Sequence, residues 1–351
     1  MFIVIGILAF GVIIAIHEIG HFVAAKSMGV KVNEFAIGMG PKILWKQGKE
    51  TLYSLRLFPF GGFCSMEGEH EEGEEPDKRS FLSQSRLRRI AILAAGSMAN
   101  FVAAFIMVLL LTIGAQGFST TTIYSVADNF PELGQSEIQV GDRLVSLNGE
   151  RLFFHEDLNM FRNLNLTAGN PIIYIVERNG EFFEFESRPI LIDGAERFRY
   201  SLQFEVMEPS FTNNIEFAVY RTFNFVRMIR VSVMMMFAGD AGIQDLAGPV
   251  GIVNVMHEVG QQAPNFGIAL LSIVHFAAFI GVNVAIVNML PIPAMDGGRI
   301  LFTIISWIIE KATRRPLDPK YEGYINTGAF LLLIGLMVFI MYNDIVNIIT
   351  G

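Results

Sequence analysis

The sequence predicts an α-helical integral membrane protein with four transmembrane helices and an inserted outside domain built largely of strands. Hydrophobic residues make up 52% of the 351 residues, and the mean hydropathy of +0.45 is high for a soluble protein. Four apolar runs each approach the roughly 20 residues that cross a hydrocarbon core. The long segment between the second and third runs has the alternation and turn residues of β-strands.

The apolar runs set the boundaries of the predicted membrane part. We place helices at about 2–25, 91–114, 266–290 and 327–349, with a second helical stretch near 300–309. The first run lacks the basic start and the small-residue cleavage site of a signal peptide, so we expect it to be retained. Cys64 is the single cysteine, which excludes an intrachain disulfide and a cysteine-ligated zinc site.

Lysine and arginine set the expected orientation. Eleven of them fall between residues 26 and 90, and four fall between 311 and 320. Because cytoplasmic loops carry the excess of these residues, both segments are expected in the cytoplasm, and both termini and segment 115–265 outside. Residues 213–245 look like an amphipathic helix on the membrane surface, the alternative being a further crossing. The net charge of −8 comes without a long basic tract, so no nucleic-acid partner is expected.

The first apolar run contains a candidate metal site. Residues 17–21 read H-E-I-G-H, and on a helix His17 and His21 share one face, so both rings can bind one ion. Glu18 lies beside them and can take a proton from water at the metal. Three ionisable residues inside a spanning helix indicate function. The alternative is a polar cluster that packs helices. Counting back from Ala25 places His17 about 12 Å below the cytoplasmic boundary.

Two histidines leave zinc short of a third protein ligand. Asp296 is the best candidate, because it is the one acid in the apolar region from Phe266 to Trp307. The prolines at 291 and 293 break the helix before it, and the glycines at 297 and 298 permit close backbone approach. The alternative is that Asp296 simply caps the helix that follows.

These two motifs, in this order, resemble those of the site-2 protease family of intramembrane metalloproteases. The family pattern is H-E-x-x-H followed by N-x-x-P-x-P-x-x-D-G, which residues 288–297 match; Met295 stands where leucine is usual. The resemblance implies Zn²⁺ held by His17, His21 and Asp296, with Glu18 as the catalytic acid and base. It also implies Asn288 as a polar contact near the substrate backbone.

Two further segments resemble the bacterial RseP-like branch of that family. Residues 57–66 look like its membrane-dipping β-hairpin, with a turn at Gly61-Gly62, and the resemblance implies that Gly61, Gly62 and Phe63 contact an extended substrate. The alternative is an ordinary hairpin packed on the helices. Gly248-Pro249-Val250-Gly251 also recurs in that branch, and we expect it to mark a helix boundary.

The outside segment resembles a single PDZ domain of the kind found in bacterial proteases. Strands are predicted at 121–126, 143–147, 172–177 and 181–186, and Asn179-Gly180 predicts a hairpin. The domain organisation is then 1–116 for the first membrane half, 117–205 for the PDZ domain and 206–351 for the second membrane half. Such a domain can bind a peptide by strand addition or act as a size filter, and the filter is favoured because no clear carboxylate-binding loop is present.

The resulting hypothesis is an intramembrane zinc endopeptidase in the plasma membrane of a bacterium. Its partners would be the lipid bilayer and single-pass membrane proteins. The resemblance suggests anti-sigma factors first cut by an upstream site-1-type protease, or signal-peptide remnants. Two other classes stay open: a transporter that uses the buried ionisable residues as an ion path, and a non-catalytic scaffold that uses the PDZ domain alone.

Overall fold

The computed structural model describes most of the chain, in two compact units. The described residues are 1–69, 78–126, 138–164, 172–187, 190–192, 195–197, 202–239, 242, 247–314 and 320–350. One unit comprises Met1–Leu110 and Phe225–Gly351, and the other comprises Leu111–Asn224. The first unit contains the long apolar helices, and the second contains most of the strands.

Long helices form most of the first unit. They are α1 (Phe2–Ser27), α2 (Arg86–Thr112), α4 (Phe211–Ala238, which begins in the second unit), α5 (Pro249–Gln262), α6 (Phe266–Met289), α7 (Asp296–Thr313) and α8 (Lys320–Thr350). Four stretches in the described residues are long and apolar enough to cross a membrane: Phe2–Ser27, Arg86–Thr112, Phe266–Met289 and Gly323–Val346. By length and composition, the four predicted crossings are confirmed.

Two of the membrane helices begin earlier than predicted. α2 begins at Arg86 instead of near 91, and α8 begins at Lys320 instead of near 327. Hydropathy detects the apolar part of a helix, whereas polar end residues continue the same backbone beyond it. The predicted surface helix at 213–245 corresponds to α4, which is not one of the four apolar stretches; residues 240, 241 and 243–246 lie outside the described part.

Small residues bring α1 close to its neighbours. A Cβ added to Gly20 would overlap the carbonyl of Ala95 and lie 2.8 Å from the Cβ of Ala99, both on α2. A Cβ added to Gly6 would lie 3.3 Å from Met256 on α5. Close contact through small residues is typical of membrane helices, because burial of apolar surface from water does not drive their association. α1 therefore packs tightly against both α2 and α5.

A two-stranded sheet follows α1 in the chain. It consists of β1 (Val32–Gln47) and β2 (Leu52–Met66), and β1 meets two stretches of β2, since Phe35 pairs with both Cys64 and Tyr53. Residues 52–55 run parallel to residues 34–37, whereas residues 62–66 run antiparallel to them, so β2 reverses its direction between Leu55 and Gly62, next to the predicted turn at Gly61-Gly62. Gly61 lies at the end of this reversal with a φ of 83°, a conformation that glycine adopts more readily than other residues.

The second unit contains a six-stranded sheet and a helix, α3 (His155–Leu164). Its strands are β3 (Phe118–Val126), β4 (Arg143–Leu147), β5 (Glu150–Arg151), β6 (Ile172–Arg178), β7 (Glu181–Ser187) and β10 (Leu202–Met207), while β8 (Ile190–Ile192) and β9 (Ala195–Arg197) form a separate pair. The order is β10-β3-β4-β6-β7, with β5 on β4. The four predicted strands are confirmed. Asn179 and Gly180 both have positive φ between β6 and β7, which confirms the predicted hairpin.

A buried ion pair holds the start of β4 in this second unit. Asp142 is 1% exposed and receives two hydrogen bonds of 2.7 Å from Arg178 and one of 2.7 Å from the backbone N–H of Gln139. Burial alone would raise the pKa of Asp142, but these bonds outweigh it and hold that pKa below its usual value. The carboxylate therefore fixes the loop before β4 to the end of β6.

A carboxylate from α8 caps the start of α5. The N–H of Gly248 donates to Oδ1 of Asp344 at 3.2 Å, and the N–H of Gly251 donates to Oδ2 at 2.8 Å. Asp344 is 6% exposed, and a Cβ on either glycine would overlap its carboxylate. Pro249 occupies the first turn, where its missing N–H has no consequence. The Gly-Pro-Val-Gly segment thus marks a helix start, as expected, and also receives a capping group from another helix.

Candidate active site

Three potential metal ligands from two helices converge at one point. His17 and His21 extend from one face of α1, and Asp296 is the first residue of α7. The Nε2 atoms of the two histidines are 3.1 Å apart, and Oδ2 of Asp296 lies 3.1 Å from the first and 3.2 Å from the second. The structure therefore brings together the three residues that the sequence analysis selected as ligands, although they are far apart in the chain.

An irregular connection between α6 and α7 positions Asp296. Its residue Ala294 has a φ of 72°, and the Ala294 N–H donates to Oδ1 of Asn326 on α8 at 3.1 Å. A Cβ on Gly297 would overlap the carbonyls of Met289 and Leu290. α7 begins at Asp296 itself, with Met295 as its N-cap and no side-chain capping bond. The simple capping role considered for Asp296 is thus not the arrangement in the structure.

The wall of the site opposite α1 is provided by α2. Nδ1 of His21 lies 2.9 Å from the backbone oxygen of Ile92, so that nitrogen donates to the carbonyl and leaves Nε2 free as a lone-pair ligand. A Cβ on Gly96 would overlap Nε2 of His21 and lie 2.8 Å from Cε1 of His17. Gly96 is therefore the residue that makes room for both rings.

The arrangement fits a zinc ion. Two imidazoles and one carboxylate are a common catalytic zinc ligand set. With zinc–ligand bonds of roughly 2.0–2.1 Å, tetrahedral ligand atoms lie about 3.3 Å apart, and the three distances of 3.1–3.2 Å are close to that spacing. These atoms are the one group of three or more potential ligands that the described residues bring within 4.8 Å of one another. The direct bond from His21 to a carbonyl is the outer contact that such ligands usually make.

Glu18 lies between this cluster and the β-sheet. It directly follows the candidate ligand His17 on α1, and its side chain reaches Gly62 of β2, where an added Cβ would lie 3.1 Å from Cγ of Glu18. A carboxylate next to a metal site and next to a strand edge is placed to exchange protons with a group bound along that strand. The glycine is needed here because a larger residue would press on Glu18.

The remaining predicted site residues are in β2 and at the end of α6. Gly61 and Gly62 are in β2, where Gly62 pairs with Ile37 and Phe63 pairs with Ala36 of β1. Residues 62–66 have pairing partners in β1 alone among the described residues, so the other side of this stretch is an open strand edge. Asn288 is the next-to-last residue of α6, half-buried, just before the connection that leads to Asp296.

Charged groups tie the sheet to the helix that carries Asp296. Arg299, one turn into α7, contacts Glu69 at 2.5 Å, and Glu69 also accepts the backbone N–H of Met66 at the end of β2. Within the sheet, burial alone would raise the pKa of Glu34, but hydrogen bonds from Ser54 and Arg56 hold that pKa below its usual value. The strand edge and the metal cluster are thus linked by polar contacts as well as by packing.

Several residues that shape the site were not found from the sequence. The carbonyl of Ile92 has no side-chain signature, and Gly96 is one of several small residues in an apolar helix. Asn326 could have been noticed in the sequence, because it is a polar residue at the start of the last apolar run. Its partner is a backbone N–H, however, and no sequence pattern identifies it.

Comparisons with known proteins agree with this geometry. The family described as Peptidase family M50 matches residues 5–336. A Clostridium perfringens protein named "Putative zinc metalloprotease" is 34% identical over 350 residues, covering 99% of each chain. A Clostridium acetobutylicum protein of the same description is 34% identical over 347 residues, 98% of this chain and 97% of the relative. "Zinc metalloprotease RasP" of Geobacillus kaustophilus is 26% identical over 421 residues, 97% of this chain and 96% of the relative.

Proposed function

The chain belongs to peptidase family M50, the family of the site-2 proteases, and we propose that it cleaves membrane-spanning segments at a zinc site formed by His17, His21 and Asp296. Membership establishes a zinc metalloprotease of the membrane, and thereby sets aside the transporter and the scaffold. The observation that carries the residue assignment is the convergence of the three ligand atoms within 3.2 Å of one another beside Glu18.

The proposed reaction is hydrolysis of a peptide bond. Zinc, when bound, supplies a Lewis acid that polarises the carbonyl and makes water easier to deprotonate. A carboxylate oxygen of Glu18 takes a proton from the attacking water as the oxygen–carbon bond forms. Glu18 then gives that proton to the departing amine nitrogen as the carbon–nitrogen bond breaks. The hydrogen bond from Nδ1 of His21 to the carbonyl of Ile92 orients the ring and leaves Nε2 available to bind zinc.

The substrate is proposed to bind as an extended strand along β2. A helical backbone hides its carbonyls, so a spanning segment must unwind before hydrolysis. The open edge formed by residues 62–66 offers backbone hydrogen bonds that replace those lost on unwinding. Gly62 adjoins Glu18, which would place a strand at this edge near the reacting group. Asn288 is proposed to contact the substrate backbone from the end of α6.

The decisive experiment is Glu18→Gln in purified full-length protein, with a single-pass test substrate in vesicles. The variant is expected to retain equimolar zinc by elemental analysis and to lose cleavage, because an amide keeps the shape but cannot accept the proton. Glu216→Gln, an exposed substitution on α4, is the matched control and should cleave normally. Undiminished cleavage by Glu18→Gln would refute the assignment.

The orientation proposed from charge is that both termini and the outside domain face away from the cytoplasm of a bacterial cell, with the enzyme in the plasma membrane. The single cysteine allows a direct test after Cys64→Ser. Cysteines introduced one at a time at Lys46 and Glu150 should be labelled from opposite sides of the membrane by an impermeant thiol reagent. Labelling of both from the same side would contradict the topology.

The outside domain is proposed to be a PDZ domain that acts as a size filter. The support is the strand-rich second unit with its two Asn-Gly turns. A test substrate with a bulky folded outside domain should be cleaved far more slowly than the same segment without it. Replacing residues 117–205 with a short linker should abolish that difference. Equal cleavage rates for the two substrates in the intact enzyme would contradict the size-filter hypothesis.

The physiological substrates are proposed to be anti-sigma factors already shortened by an upstream site-1-type protease, or signal-peptide remnants. Both present a single span without a large outside domain, as the size filter requires. Comparing membrane proteomes of cells with the native enzyme and with Glu18→Gln should show such fragments accumulating in the variant.

A further inference from the structure

Buried polar atoms lie beside the metal cluster without a role in the proposed reaction. Asn100 on α2 is 1% exposed and Ser97 is 4% exposed. Both amide atoms of Asn100, the hydroxyl of Ser97 and Nδ1 of His17 have no hydrogen-bond partner in the part of the chain that the structure describes. An unpaired buried polar group lowers stability, and hydrocarbon outside the bundle cannot supply a partner. Several such groups in one place indicate a polar ligand.

The residues that carry these atoms lie near one contact between α1 and α2. A Cβ on Gly96 would lie 2.8 Å from Cε1 of His17, the carbon bonded to its unpaired nitrogen. Asn100 is one turn further on the same face of α2, and Ser97 is three residues before it, so their side chains are neighbours. From α6, a Cβ on Gly281 would lie 3.7 Å from the backbone oxygen of Asn100, so that helix covers the other side.

We propose that one ordered water, enclosed between α1, α2 and α6, joins Nδ1 of His17 to Asn100, which makes Asn100 a positioning residue of the metal site. The water accepts the N–H of His17 and donates to Oδ1 of Asn100. The amide N–H groups and the Ser97 hydroxyl complete the polar partners that a buried water needs. The inference rests on the proposed function, because it assigns Nε2 of His17 to the zinc.

The role follows from a comparison of the two histidines. His21 donates from Nδ1 directly to the carbonyl of Ile92, at 2.9 Å, which fixes both its ring orientation and its tautomer. The equivalent nitrogen of His17 has no partner among the described residues, and the ring carbon bonded to it approaches α2 at Gly96, which has no side chain to accept a bond. A water held by Asn100 supplies the acceptor, and outer contacts of this kind typically change metal affinity 10–100-fold.

The test measures zinc affinity of the purified full-length protein by competition with a fluorescent chelator, independently of cleavage. Asn100→Leu should weaken zinc binding by about 10–100-fold and shift the visible spectrum of the cobalt-substituted protein. Asn100→Asp, which retains an acceptor oxygen, should restore most of the affinity. Thr112→Val removes a buried hydroxyl from the far end of the same helix and should bind zinc like the native protein.

The outcomes separate this inference from the proposed function. If the native protein holds no stoichiometric zinc, the proposed function fails first. If the native protein binds zinc and Asn100→Leu binds it equally well, only the inference is overturned. Should Asn100→Leu not fold, an experimental structure of the zinc-loaded native protein decides: a water within hydrogen-bonding distance of both Nδ1 of His17 and Oδ1 of Asn100 supports it, and a direct protein partner for Nδ1 overturns it.

Discussion

Gly96→Ala should disable the metal site without disturbing the fold. The added methyl would overlap Nε2 of His21 and lie 2.7 Å from its Cε1 and 2.8 Å from Cε1 of His17. Carbon atoms normally keep about 3.5 Å apart, so the rings must retreat by roughly 0.7 Å or α2 must move away. Zinc–ligand distances tolerate changes of only about 0.2 Å.

The expected result is a zinc dissociation constant raised about 100-fold, which corresponds to about 2.7 kcal/mol. The direct measurement is chelator competition on the detergent-solubilised protein. Gly335→Ala on α8 is the matched control, because a Cβ there meets nothing within 4 Å and the change favours a helix. If Gly96→Ala binds zinc within threefold of the native protein, the account of how α2 shapes this site is refuted.

Three further predictions concern the polar contacts of the fold. Asp344→Ala should lower the free energy of unfolding by about 2 kcal/mol, measured by thermal unfolding in detergent, because two backbone N–H groups lose their acceptor; an unchanged transition would contradict the capping role. Asn326→Leu should weaken zinc binding about 10-fold while the protein stays folded, because the N–H of Ala294 loses its acceptor; unchanged affinity would show that this bond does not position the connection. Asp142→Asn should destabilise the second unit by about 2 kcal/mol, since Arg178 loses its charged partner. Because the pKa of Asp142 is lowered on folding, its contribution is present above about pH 4 and is lost as the pH falls through the lowered pKa; hydrogen exchange of β4 against pH measures this, and protection independent of acidification would contradict it.

The sequence predicted the membrane helices well because their signal is cumulative. In a run of about twenty apolar residues, a few polar residues do not hide the helix, so both ends of α6 were predicted to within a residue. The polar first residues of α8 carry no hydropathy signal, so its start was missed. The two histidines followed from helical periodicity, and Asp296 followed from the rarity of a carboxylate in an apolar region.

Features that depend on tertiary contact were not predictable. The glycines at 61 and 62 marked the place where β2 reverses direction, but no local pattern showed that residues 34–37 would pair with two stretches of β2. The cap on α5 comes from Asp344, more than 90 residues later, and its choice depends on how α8 packs. Local sequence patterns therefore predicted the helices and strands. The hydrogen-bond partners of backbone groups could be identified only from the three-dimensional structure.

The attachment of α8 has a mechanical consequence. Its apolar stretch is almost entirely exposed on the described surface, yet Asn326 near one end and Asp344 near the other each bind backbone N–H groups of the bundle. If one of these two attachments were lost, the other would still hold its own end of α8. Because Asn326 is one of those attachments, a displacement of that end of α8 would act directly on the connection that holds Asp296.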